Sequence, residues 1–403
     1  MKSRPSLKLR AIHPFPARMA PELALNALNH LPANSLILDP MAGSGTVLRQ
    51  AVELGHRAVG FDLDPLAVLM SKVWTTRVDD QAIAELAATV IEHAREVDLR
   101  RSPLPWISGH DETAAFIKYW FATEQRKDLA RLAFVLHSRK QEATDAEEAA
   151  IDVLRIALSR IIVTKEQAAS LARDTSHSRP HKVAQSSNFN IFEAYERSVE
   201  QLRQRLKEAP LLSAATVHHG DARRLTLADK SIDAVMTSPP YLNAIDYLRG
   251  HRMSLVWLGH RLGELRNIRS SSIGAERAAD KPATEKLAKQ IHRVAEAMVQ
   301  DGELTSTHKA MVHRYAHDLL AMTSEVSRVL KAKGRATFVV GNSCLRGSFI
   351  KNSAGVDVAC KIAGLHKLSE FERDLPQANR YLPMTSTSLG KRMRTETVLT
   401  FVN

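Results

Sequence analysis

The stretch from Ser35 to Asp62 limits the fold more than any other part of the chain. SLILDP (35–40) reads as a short apolar strand ending in Asp-Pro, and MAGSGT (41–46) supplies a flexible turn after it. An amphipathic helix near 46–55 follows, with Gly55 marking its end, and HRAVGFD (56–62) reads as a second strand. DPLAVLMSKVW (64–74) then reads as a second helix. Strand, glycine turn, helix and strand in close succession specify a βαβ unit, which implies a parallel sheet covered by helices.

Beyond this unit the pattern changes. From about 76 to 214 apolar residues recur at helical spacing, with candidate helices at 80–98, 123–140, 144–163 and 191–208 and no convincing strand. ARDTSHSRPHKVAQSSN (172–188) reads as a polar loop. Strands return in AATVHHGDA (214–222) and SIDAVMTSPPY (231–241), followed by a helix at about 244–258. A polar, charged insert covers roughly 262–304, and a long helix at 306–332 is expected to stop at Gly334. RATFVVGN (335–342), a helix at 354–363, KLSEFERDL (367–375) and TETVLTFV (395–402) complete the chain. The seven strands, at 36–39, 57–61, 215–219, 232–237, 336–341, 368–373 and 397–402, suit an α/β fold: a doubly wound seven-stranded sheet with a large helical insert. Ligands bind such sheets outside the carboxyl ends of the strands, so the chemistry should follow residues 39, 61, 219 and 237.

In LDPMAGSGT (38–46) Gly43, Ser44 and Gly45 lie between strand and helix. Glycines there let a ligand approach the backbone and leave N–H groups aimed at it from a helix N-terminus. The spacing is not GxGxxG, which weakens a dinucleotide reading, and Asp39 suits an amino group better than a phosphate. An ordinary tight strand–helix turn is the plain alternative. Asp62 is placed to accept hydrogen bonds from a ribose diol, whereas Asp64 suits a helix N-cap. Asp221, after the third strand, is placed either to read an adenine amino group or to cap a turn. TSPPY (237–241) is the most specific feature: two prolines after a buried strand fix a rigid loop with outward carbonyls. Ser238 offers a hydroxyl and Tyr241 an aromatic face, together suited to gripping an exocyclic amine and stacking its base.

The pair DPMAGSGT and TSPPY resembles the amino-group DNA methyltransferases of the class I S-adenosylmethionine-dependent fold, over roughly 10–75, 214–260 and 306–402. The resemblance implies that S-adenosyl-L-methionine is the cofactor. Its methionine part would be held by Asp39, Pro40, Gly43, Ser44, Gly45 and Thr46, its ribose by Asp62 and its adenine by Asp221. Ser238, Pro239, Pro240 and Tyr241 would form the catalytic loop. HPFPARMAPEL (13–23) looks like the family's element that packs over the cofactor, here with Phe15; a structural N-terminal arm is the alternative. The sequence departs from the family's DPFxGSGT at Met41, which removes a stacking contact. The catalytic domain would then comprise 1–75, 214–261 and 305–403, interrupted by a helical insert at 76–213, a candidate target-recognition region, and a smaller insert at 262–304.

The serine form of the loop leans towards cytosine N4, the aspartate form towards adenine N6. Either base must leave the duplex stack to be reached. Cytosine C5 chemistry needs a thiolate, and neither Cys344 nor Cys360, the only cysteines, sits in a Pro-Cys loop. An RNA amino-methyltransferase and a DNA-binding protein on an inactive scaffold remain alternatives. A protein-glutamine methyltransferase is disfavoured by the absence of NPPY and by the basic charge. The chain carries 56 Lys+Arg against 44 Asp+Glu, a net charge of +12, which favours a polyanionic partner. Basic residues with few acids around them include Arg173, Arg179 and Lys182 in the 172–188 loop. Arg249 and Arg252 follow the catalytic loop, and Lys391, Arg392 and Arg394 stand near the C-terminus. These are candidates for gripping double-stranded DNA through its phosphates. The 17 histidines show no acid–His motif, although His313 and His317 are four apart, so no metal site is expected. No targeting segment or membrane span is read, and two cysteines fit a reducing, cytoplasmic setting. Whether a cognate restriction enzyme is a partner, and the oligomeric state, stay open.

Overall fold

The computed structural model describes residues 11–16, 18–174, 180–208, 211–242, 246–275, 284–299, 304–345, 347–374 and 395–403. The chain begins with α1 (Pro21–Leu28), β1 (Leu36–Asp39), α2 (Thr46–Glu53), β2 (Arg57–Asp62) and α3 (Pro65–Thr75). Then come α4 (Asp80–Glu96), α5 (Asp111–Trp120), α6 (Thr123–Glu142), α7 (Asp145–Arg160), β3 (Ala172–Arg173), β4 (His181–Lys182) and α8 (Ile191–Lys207). β5 (Ala215–His219), β6 (Ile232–Thr237), α9 (Tyr247–Leu255), α10 (Leu262–Ser271), α11 (Glu285–Met298) and α12 (Ser306–Val329) follow. The last elements are β7 (Leu330–Gly341), β8 (Ser343–Leu345), β9 (Ser348–Ile350), α13 (Asn352–Ile362), β10 (His366–Asp374) and β11 (Thr395–Val402).

Contacts divide these elements into two units. One, from 17–63, 212–246 and 270–403, holds the sheet. Its seven strands run β10-β11-β7-β6-β1-β2-β5, with β11 antiparallel to both neighbours and the other pairings parallel. Numbered along the chain, the order is 3-2-1-4-5-7-6, the class I methyltransferase sheet that the resemblance implied. Side chains alternate across it. Leu38, Val59, Phe61, Phe338 and Val340 join one core with α11, α12 and α13. The other face receives α2, whose Leu48 lies against Gly60. The sheet is thus wound on both faces. Its edge strands carry exposed polar residues, His218 and His219 on β5 and Lys367, Glu370 and Glu372 on β10, which blunts them against further pairing.

The other unit comprises residues up to Pro16, 64–211 and 247–269. Its core gathers Leu69 and Trp74 from α3, Val90 from α4, Leu132 from α6, Leu154 from α7, Tyr195 from α8 and Trp257. The helices start on caps: Asp64 Oδ1 accepts the Leu66 N–H at 2.9 Å, and Asp79 Oδ2 accepts that of Ala82 at 3.0 Å. Asp64 therefore has the capping role, and its second oxygen meets His251 Nδ1 at 2.5 Å. Residues 11–16 form an arm on this unit. Ile12 is buried, and Arg160 and Arg205 donate to the carbonyls of Ile12 and Ala11.

The structure differs from the sequence reading in several places, among them helix α1 and the short strands β8 and β9, which were not expected. Helix α5 lies where no helix was expected. The 172–188 loop contains a minimal hairpin, Ala172 pairing with Lys182 and Arg173 with His181. The long helix ends at Val329 and not at Gly334, because Leu330 already pairs with Ile232 and the Lys333 N–H bonds the Asn403 carbonyl at 2.9 Å. Sheet pairing captures these residues, and Lys333 takes the left-handed turn, with φ 62°. Among the described residues no helix is long and apolar enough to cross a membrane.

Candidate active site

The expected residues stand at the carboxyl ends of β2, β1, β6 and β5 in the sheet unit. Asp39 closes β1 and is buried. Its Oδ1 accepts the Thr237 hydroxyl at 2.8 Å and the Met41 N–H at 3.2 Å. Among the described residues it has no ion-pair partner. Burial raises its pKa from 3.8 to about 7, against the pull of those two hydrogen bonds and with a small push from the Asp62 charge.

The turn after Asp39 needs its glycines. Gly43 and Gly45 take φ of 50° and 82°, in the left-handed region, and Gly45 is the N-cap of α2. The Ala42 N–H bonds the Phe61 carbonyl and the Gly43 N–H bonds Asp62 Oδ2, both at 2.8 Å. The turn is thereby tied to the end of β2. Pro40, Ser44 and Thr46 are buried beneath it, the two hydroxyls 3.2 Å apart.

The β6 end carries the SPPY loop. The Ser238 hydroxyl donates to the Val339 carbonyl on β7 at 2.9 Å. Pro239 is buried. The Pro240 carbonyl accepts the Tyr315 hydroxyl of α12 at 2.9 Å, so for this residue the outward carbonyl expected from sequence is corrected. A helix donor outcompetes solvent for it. The Tyr241 ring lies over Gly341, where an added Cβ would come within 2.5 Å of it. The Tyr241 hydroxyl hydrogen-bonds the Ser238 side chain and the Gly341 backbone, and burial, with the Glu396 charge adding, pushes its pKa up to about 12.

Asp221 follows β5. Its carboxylate accepts the Arg223 N–H at 2.9 Å and meets the Arg223 guanidinium at 2.7 Å, so it shapes a turn and an ion pair together. The structure therefore brings Asp39, Gly43, Asp62, Ser238 and Tyr241 onto neighbouring strand ends, with Asp221 one strand beyond β2. Phe15 belongs to the helical unit, where its ring stacks on Tyr247 at 4.9 Å. Arg173 is exposed on β3, and the Lys182 ammonium lies 4.6 Å over the Tyr119 ring. Arg249 and Arg252 are on α9 of the same unit, Arg252 lying 5.2 Å over Phe116. Arg179, Lys391, Arg392 and Arg394 lie outside the described residues. Among the described residues no group of three His, Cys, Asp or Glu side chains converges as metal ligands.

No protein-family model matches the chain. M.MvaI of Kocuria varians is 22% identical over 407 aligned residues, covering 94% of this chain and 86% of the relative. M.MjaII of Methanocaldococcus jannaschii is 25% identical over 125 residues, 30% of this chain and 24% of the relative. M.BsoBI of Geobacillus stearothermophilus is 23% identical over 279 residues, 62% of this chain and 53% of the relative. These curated relatives are type II methyltransferases. They agree with the resemblance carried by DPMAGSGT and TSPPY.

Several residues that build the site were not singled out from sequence. Thr237 anchors Asp39, Tyr315 holds the loop carbonyl, Gly341 admits the tyrosine ring and Arg223 grips Asp221. Only Thr237 and Arg223 carried a usable signal, since each adjoins a motif already in view.

Proposed function

We propose that this chain is an S-adenosylmethionine-dependent DNA methyltransferase that methylates an exocyclic amine, the N4 of a flipped cytosine. The observation that carries this reading is the Thr237–Asp39 hydrogen bond at 2.8 Å, which couples the glycine turn to the SPPY loop. A donor cradle and an amine-gripping loop then share one edge. The residues fit the cofactor: the left-handed glycines put no side chain in the turn, so a ligand can approach its backbone closely, and Asp39 is a buried carboxylate without a cation among the described residues.

When bound, S-adenosylmethionine supplies a methyl group on a sulfonium. Asp39 would hold its ammonium, Asp62 its ribose diol and Asp221 its adenine. Ser238 Oγ and the Pro239 carbonyl would accept the two N–H bonds of the target amine, drawing its lone pair out of conjugation with the ring. Positioning and fixed dipoles then carry most of the rate. A serine hydroxyl is a weak base, so the amine loses its proton during or after transfer. Tyr241 would stack on the base from its seat on Gly341. Cys360 is buried in α13 with its thiol pushed up by burial, unsuited to attack on a ring.

The test is product identity. DNA and RNA from cells expressing the protein are digested to nucleosides and compared by mass spectrometry with a Ser238→Ala control. N4-methylcytosine in DNA that disappears in the control is the expected result. N6-methyladenine, or modification confined to RNA, sinks the substrate assignment, and no modification at all sinks the enzyme.

Asp39 gives this reading a pH signature. The free protein holds the Asp39 proton up to about pH 7, and binding an ammonium requires its release. Cofactor affinity should rise with pH by up to about tenfold per unit below pH 7 and level off above. Calorimetric titration of S-adenosylhomocysteine checks this, and a profile that stays sloped in Asp39→Asn removes Asp39 from the role.

The helical unit is the proposed grip on DNA, through Lys182 and exposed Arg173 on the β3–β4 hairpin, Lys182 lying over the Tyr119 ring of α5. Replacing Arg173 and Lys182 by alanine should weaken DNA binding several-fold and flatten its salt dependence. Unchanged affinity across salt concentrations rejects this surface.

A further inference from the structure

Three strands of the sheet unit carry a row of residues beside the SPPY loop. Glu396 on β11 stands directly opposite Gly341 on β7 and directly opposite Arg373 on β10. Opposed residues of antiparallel strands present their side chains on one face, with Cβ atoms about 5 Å apart. On that face the Tyr241 ring fills the place of a Gly341 side chain, its Cε2 and Cζ 2.5 and 2.7 Å from where a Cβ would stand. The oxygen-bearing end of the phenol is therefore beside Glu396, and its hydroxyl hydrogen-bonds the Ser238 side chain. From the opposite strand Arg373 Nε donates to Glu396 Oε1. The Glu396 side chain is 8% exposed and that of Arg373 25%.

Burying an ion pair costs desolvation, and apolar residues of similar volume commonly hold a sheet as well. We propose that the Arg373–Glu396 pair is a fixed dipole whose negative end, at Glu396, stabilises the positive charge that methyl transfer places on the target amine. The inference rests on the reading of Ser238 as the amine's acceptor. As the amine lone pair takes the methyl group, the C–S electron pair returns to sulfur. The positive charge then sits on the amine nitrogen until an N–H proton leaves to solvent. Glu396 lies one strand nearer the loop than Arg373 and is the less exposed of the two, so its charge is the less screened. The resulting negative field is in place before any substrate arrives. It acts on the charge that develops during transfer and little on the neutral amine, so it should raise the rate and not the affinity.

The experiment measures single-turnover methyl transfer by the full chain between about pH 6 and 9, with cofactor and DNA saturating, each variant's rate being taken relative to the parent. Glu396→Gln should slow transfer about three- to tenfold at every pH, while affinities for S-adenosylhomocysteine and DNA hold. Arg373→Gln should exceed the parent about two- to threefold at high pH, where the carboxylate acts without its cation. At low pH it should fall to the Glu396→Gln rate, because a carboxyl this buried takes up a proton once the cation is gone. Arg373 on β10 and the Tyr241 hydroxyl are the charged and titratable groups that face Glu396 among the described residues, and β7 presents Gly341 there. The Tyr241 proton is held to about pH 12, so the phenol does not titrate in this range. The double variant, with no carboxyl, should stay flat at the lower rate. A merely structural pair would give two single variants that slow alike at every pH, and that result overturns the proposal. So does a Glu396→Gln rate within about twofold of the parent. If Glu396→Gln does not fold, the Arg373→Gln profile decides, and a flat one overturns the proposal. N6-methyladenine as product sinks the base assignment and leaves the dipole standing, since the charge develops on either amine. A parent that transfers no methyl group overturns the function and the inference together.

Discussion

Ser238→Ala is expected to lower kcat for methyl transfer about 100- to 1000-fold while cofactor affinity holds. The Ser238 proton is committed to the Val339 carbonyl at 2.9 Å, so the hydroxyl is oriented before any substrate arrives. The Tyr241 hydroxyl takes one of its lone pairs and leaves the other for the amine, and no rotor has to be frozen during the reaction. Alanine removes this acceptor and keeps both prolines, so the loop should retain its course. The buried amine would be left with an unmatched N–H, in a site where water cannot replace the lost partner. Single-turnover assays with labelled cofactor give the rate, and calorimetry with S-adenosylhomocysteine gives the affinity. A kcat within threefold of the parent would mean that Ser238 is not the amine's acceptor.

Gly341→Ala is expected to cost at least tenfold in activity and about 1–3 kcal/mol in stability. The backbone there is regular strand, so alanine brings no backbone strain. Its methyl would stand 2.5, 2.7 and 3.1 Å from three Tyr241 ring atoms, and the ring must move. Moving it breaks the hydroxyl's contacts to Ser238 and to the Gly341 backbone. The stability loss should nearly vanish in a Gly341→Ala, Tyr241→Ala background, because the collision is then gone. Thermal denaturation of the four proteins in the cycle measures that coupling. Additive losses would place the cost somewhere other than the tyrosine ring.

The sequence made the βαβ start, the seven sheet strands and both acids of the turn readable, because each rests on local periodicity or on a short motif. The contacts that make a site of them are not local. Thr237 reaches Asp39 across 198 positions, Ser238 reaches Val339 across 101 and Arg223 reaches Asp318 across 95. No spacing rule announces such pairs. Gly334 shows the opposite failure: a sound local helix-stop signal lost to strand pairing that begins four residues earlier, at Leu330. The hairpin at Ala172 and Lys182 was illegible for a simpler reason, since two-residue strands carry no period. Asp221 takes the turn role, bonded to Arg223, which the sequence could present only as one of two alternatives.

The order of the sheet also bears on how the chain is made. β1 and β2 are complete by residue 62, yet their outer partners β6 and β5 come only after the long helical stretch. On a ribosome adding about 5–20 residues per second, some 150 residues separate Asp62 from its partner His219, a wait of roughly 10–30 s. Throughout that time the nascent chain holds a two-stranded fragment with both edges open, each a template for pairing with another chain. Residues 64–208 emerge in one run during the interval and can condense helix by helix. Low-temperature expression or abundant holdases should therefore raise soluble yield by protecting the unfinished sheet.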